Sequence, residues 1–188
     1  IDVLQVLHKY MPAVHKVPDN SYDQGKLYVA SAAHLLADGT KNLKPSLLLV
    51  NIFSRMSAYA QHVQCNYHQQ LKYAEQALSL SQALYPSSDK DENFNTARLL
   101  YKVGKAYHNL VKPQEALKYY EQALHIYPSH HDKRVSILAS MGSAHYILYK
   151  DEEIAIHAYY RPALGLILAQ YDCNDPDKII FKAADTRK

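Results

Sequence analysis

Apolar positions at helical spacing run through residues 2–15 and 24–37, broken by Val17-Pro18-Asp19-Asn20 and closed by Asp38-Gly39. That pattern predicts a helical hairpin at the start of the chain. Further along, one stretch returns almost unchanged. Leu71-Lys72-Tyr73-Ala74-Glu75-Gln76-Ala77-Leu78 recurs 46 residues later as Leu117-Lys118-Tyr119-Tyr120-Glu121-Gln122-Ala123-Leu124, with seven of eight positions identical. A return at this period marks stacked helical hairpins, because each hairpin buries its apolar face only against a neighbour.

The second copy lies within a longer pattern: Leu100, Val103, Gly104, Tyr107, Ala116, Tyr120, Ala123 and Pro128. Gly104 and Ala116 are small where two antiparallel helices must approach closely, with Tyr107 and Tyr120 beside them to fill the space. Lys112-Pro113-Gln114-Glu115 predicts a tight turn with proline at the first helical position and an acidic residue in the first turn. Pro128 ends the second helix. In residue types and spacing this segment resembles the tetratricopeptide repeat (TPR), whose pattern is W-x2-L-G-x2-Y, then A-x3-F, then P. Leu100 stands in place of the tryptophan, Val103 of the leucine and Tyr120 of the phenylalanine.

Weaker copies flank this one. A following copy has Leu138, Met141, Gly142, His145, Ile156, Tyr160 and Ala163 at corresponding places. Its glycine lies two residues further from the second helix, which predicts a longer turn around Lys150-Asp151-Glu152-Glu153, and Pro162 predicts a kink. A preceding copy, over 51–85, has Ala58 in place of the glycine and Ala74 in place of the tyrosine. Its second helix is predicted to run on to Tyr85-Pro86, followed by the polar linker Ser87-Ser88-Asp89-Lys90-Asp91-Glu92. Lengthened second helices of this kind resemble the TPR variant of kinesin light chains. The expected fold is all-α, an α-solenoid of about four antiparallel hairpins forming a TPR-like right-handed superhelix. Its divisions are 1–45 (diverged repeat or cap), 46–92, 93–131 (the best match), 132–174 (degenerate), and 175–188, a capping helix or the start of another repeat opening at Asp175-Pro176.

Composition agrees, with only 5 glycines and 8 prolines in 188 residues. The 21 basic and 18 acidic residues are dispersed, giving a formal charge of +3. With no basic stripe or arm, a nucleic-acid ligand is not expected. Cys65 and Cys173 form no metal-type pair, which suits a reducing compartment and a cytoplasmic location. The most apolar runs, 27–37 and 47–53, are too short to cross a bilayer, so no membrane association is expected. The opening Ile1-Asp2-Val3-Leu4 reads as part of a longer protein.

The TPR resemblance implies a scaffold that binds a peptide or helix of a partner protein in a concave groove lined by the first helix of each hairpin. The groove positions are Arg55, Tyr59 and His62; Arg98, Tyr101, Lys102, Lys105 and His108; and Ser136, Ser140, Ser143 and Tyr146. Cations mixed with tyrosines suit an acidic segment with aromatic or apolar anchors. The bland alternative is a solvated charged helix face. Chaperone-binding TPR domains hold a terminal carboxylate with a lysine and asparagine clamp, which is incomplete here. The paired groove asparagines of kinesin light chains are replaced by Tyr101-Lys102 and Ala139-Ser140. Among the 17 tyrosines, Tyr107, Tyr120 and Tyr160 are expected in the core, and Tyr59, Tyr101 and Tyr146 at contacts.

Catalytic chemistry finds little footing. No GxSxG elbow or glycine-rich phosphate loop occurs, so no enzyme activity and no cofactor is expected. His62, Cys65 and His68 are close in sequence but lack an evident fourth ligand for zinc, and no metal is expected. The other reading of the chain is a regulatory or substrate-recognition domain of a larger enzyme or secreted bacterial effector. Self-association through an unpaired C-terminal helix is a third.

Overall fold

The computed structural model describes residues 44–85, 90–128 and 131–170, together with Val29, Ala30, Ala32 and His34. Among these residues every regular element is helical. The chain divides into two compact units, Ile1–Ile126 and Tyr127–Lys188.

In the first unit, α1 (Leu47–His62) opens where the Ser46 side chain accepts a hydrogen bond from the Leu49 amide, satisfying one of the orphan donors of the first turn. It buries Leu49, Val50, Ile52, Phe53, Met56 and Ala60. Cys65 turns the chain in the left-handed region, with φ 50°, and Asn66 caps α2 (Tyr67–Leu84) by accepting from the Gln69 amide. Helix α2 ends one residue before Tyr85, close to the predicted stop. Helix α3 (Lys90–Asn109) follows, then a turn with Val111 at φ 57°, then α4 (Pro113–Ile126), which starts at the predicted proline. Each helix packs against its neighbours in sequence, α1 with α2, α2 with α3 and α3 with α4. Burying each large apolar side chain in these contacts contributes roughly 1.5–3 kcal/mol. Val29 and Ala32 are buried too. The rest of the hairpin predicted over 1–45 lies outside the described residues.

The α3–α4 hairpin closes as the sequence pattern requires. A Cβ on Gly104 would stand 2.6 Å from the Tyr120 ring and 3.3 Å from the Ala116 carbonyl. Tyr120 is 1% exposed and has nowhere to retreat. Only glycine allows this approach.

In the second unit, α5 (Lys133–Tyr149) ends at Lys150, which takes the left-handed conformation with φ 55°. Asp151 then caps α6 (Glu152–Ile154) through a 2.9 Å bond from the Ile154 amide. A π-helical segment, Ala155–Tyr160, leads into α7 (Arg161–Gln170). Both α7 and the π-helical segment pack on α5.

One expectation is corrected here. The turn is not longer than its counterpart: α5 runs seven residues past Gly142, whereas α3 runs five past Gly104, and only Lys150 and Asp151 separate the helices. The additional length is taken up in helix. Before Pro162, moreover, the helix widens into π geometry. Proline has no N–H for the Ala158 carbonyl, and its ring would crowd that carbonyl in an ordinary α-turn. The Arg161 amide bonds to Ile156, five residues back. The segment predicted over 175–188 lies outside the described residues. No described helix is long and apolar enough to cross a membrane.

Candidate functional site

Arg98, Lys102 and Lys105 stand at i, i+4 and i+7 on α3 and so share one face. The other faces bury Ala97, Leu99, Leu100, Val103 and Ala106 in the hairpin contacts. Arg98 remains exposed and Lys105 half-exposed. Lys102 leans across to α1, where its Nζ donates to the Ser54 hydroxyl at 2.6 Å and the Ser54 carbonyl at 3.1 Å. That bond ties the first helix of one hairpin to the first helix of the next. Burial, then the neighbouring charges of Arg98 and Lys105, lowers the Lys102 ammonium to about 8.

Two histidines complete the cluster. His62, in the last turn of α1, is pushed below its ordinary value by burial, then by Lys105 and Lys102. His108, near the end of α3, is lowered by burial and then by Lys105. Among the described residues, the neighbouring charges that lower Lys102, His62 and His108 are those of Arg98, Lys102 and Lys105. Five of the predicted contact residues thus meet in one field of excess positive charge.

The other candidates are placed differently. Tyr59 is a correction: at 2% exposure it belongs to the core of α1 and offers no contact surface. Tyr101 is half-buried, its ring 5.6 Å from that of Tyr120, and Arg55 is half-buried on α1. In the second unit, Ser140 donates to the Ser136 carbonyl one turn back. Ser143 is half-buried on the same helix. Tyr146 is exposed, with the Lys150 Nζ 5.4 Å from its ring centroid. Tyr160, expected in the core, is 39% exposed even though its ring covers Gly142.

A polar network lies in the same unit. Gln70, 1% exposed on α2, donates to Gln61 at 3.2 Å and accepts from Asn109 at 3.0 Å, while its backbone carbonyl accepts from Ser57. These bonds connect α1, α2 and α3 and satisfy an otherwise costly buried amide. Neither Gln70 nor Ser54 stands out in the sequence. The only signal for them is a polar residue recurring on an otherwise apolar face. Tyr107 donates to Glu75 on α2 at 2.9 Å and stacks on Tyr119. Burial, then that hydrogen bond, raises its phenol to about 12.

His62, Cys65 and His68 are all exposed. Among the described residues no three His, Cys, Asp or Glu side chains gather as a metal site requires.

Compared with known families, residues 97–130 match the model of the tetratricopeptide repeat. That span takes in most of α3, its turn, and α4. No curated protein matches the chain. The matched span contains Gly104, Ala116 and Tyr120 in their close-packed arrangement. Residues 97–130 are a tetratricopeptide repeat.

Proposed function

We propose that the chain is a protein-binding scaffold whose α1–α3 face receives an acidic segment of a partner protein. TPR repeats generally mediate protein–protein interaction, which supports the class of function. The observation that carries the acidic preference is the spacing of Arg98, Lys102 and Lys105 on one face of α3, with their charges acting on one another and on His62 and His108. An arriving carboxylate relieves that repulsion and gains charge-assisted hydrogen bonds from the cations. Half-buried Tyr101 belongs to the packing beneath this face.

The test is affinity capture with the chain beside its Arg98→Glu/Lys105→Glu form, each checked for helicity by circular dichroism. Lys102 is left intact because its bond to Ser54 is part of the packing. A specific partner with an acidic segment, retained by the parent and lost from the reversed form, is the expected result. Equal retention by both forms removes the basic face from the interaction.

A further inference from the structure

The basic cluster supplies more hydrogen-bond donors, and more charge, than one carboxylate uses. Arg98 carries a planar fork that grips tetrahedral oxyanions through two parallel bonds. Lys105 adds a mobile ammonium. Two of the three Lys102 ammonium protons are directed at Ser54, which fixes the charge in place. His62 reaches the same region from α1 and His108 from the end of α3. Along the axis of α3, Arg98 and Lys105 are about 10 Å apart, a gap that long arginine and lysine side chains close by converging on one group.

A carboxylate brings a single charge and two oxygens. A phosphate monoester brings roughly one and a half to two negative charges and three acceptor oxygens. Lys102 is held by Ser54 and so loses little freedom when a ligand arrives, which favours binding by a fixed site over loose ion pairing.

We infer that the group recognised by Arg98, Lys102 and Lys105, with His62 and His108 beside them, is a phosphorylated side chain of the partner segment. This rests on the reading of the α1–α3 face as the binding surface and adds what that surface selects. Phosphorylation of the partner would then switch capture on, with no change in the scaffold itself.

The experiment uses three short fluorescent peptides of identical neutral sequence, carrying phosphoserine, glutamate or serine at the centre. Their binding to the full chain is followed by anisotropy at pH 7 and constant ionic strength. The phosphoserine peptide is expected to bind at least tenfold more tightly than the glutamate peptide, with the serine peptide weaker still. Arg98→Gln and Lys105→Gln should each weaken phosphoserine binding several-fold. Lys118→Gln, on the exposed side of α4, should leave it unchanged. Equal affinity for phosphoserine and glutamate overturns the phosphate inference and leaves the acidic-segment reading in place. No binding of any peptide, or equal weakening by Lys118→Gln, overturns the inference as well; the capture experiment above then decides the broader reading separately.

Discussion

The two hairpins that carry a close-packed glycine solve the same problem with different security. Between α3 and α4, the Tyr120 ring occupies the space a Cβ on Gly104 would need, and Tyr120 is itself fully enclosed. Between α5 and the π-helical segment, a Cβ on Gly142 would stand 2.9 Å from the Tyr160 ring and 3.2 Å from the Tyr159 Cβ, but Tyr160 opens onto solvent. A small residue is indispensable only where its large neighbour cannot move. The surrounding geometry follows the same contrast: α4 is regular from Pro113 onward, whereas the second unit widens into a π turn before Pro162.

The largest expected effect breaks the first of these contacts. Gly104→Leu places side-chain carbon where the Tyr120 ring and the Ala116 carbonyl already stand. It should destabilise the fold by about 3 kcal/mol, read as a lower midpoint in urea or thermal unfolding.

An intermediate effect comes from the tie between hairpins in the first unit. Lys102 is lowered to about 8 in the folded chain against an ordinary 10.5. Between these two pH values the unfolded chain holds the proton and the folded chain has released it. Wild-type stability therefore rises with pH relative to Lys102→Met, by at most about 1.4 kcal/mol per pH unit. Below pH 8 both states hold the proton and the difference levels off at its least favourable value. Parallel urea titrations of the two proteins from pH 7 to 10 give the comparison, and a constant difference would show that Lys102 keeps its charge in the fold.

The smallest effect belongs to Gly142→Ala. The added methyl meets a tyrosine ring that can swing outward, and alanine recovers up to about 1 kcal/mol of helix propensity. A net change within about 1 kcal/mol is expected in thermal unfolding. A loss as large as that of Gly104→Leu would show that Tyr159, whose Cβ lies nearer the backbone, rather than exposed Tyr160, governs the contact.

Much of the first unit was legible from local pattern. The repeated Leu-Lys-Tyr stretch, Gly104, Ala116, Tyr120 and Pro113 all report through short-range rules: period, size at a close approach, and proline at a helix start. The basic face was legible as i, i+4, i+7 spacing on one predicted helix. The reading failed for Tyr59 and Tyr160, which are the same residue type with opposite fates, because exposure depends on which helices lie over a position.

The sequence by itself determined the packed helical hairpins of the described residues and a tetratricopeptide repeat within them, since helix periodicity and small-to-large pairing are written in neighbouring residues. Tertiary structure alone decided that Lys102 reaches Ser54, that Gln70 joins three helices, and that His62 and His108 fall within the field of Lys105. It also decided that the strain of Pro162 is absorbed by a π turn. These features depend on where side chains from separate helices meet, and on how far burial strips water from their charges, which no single stretch of sequence specifies.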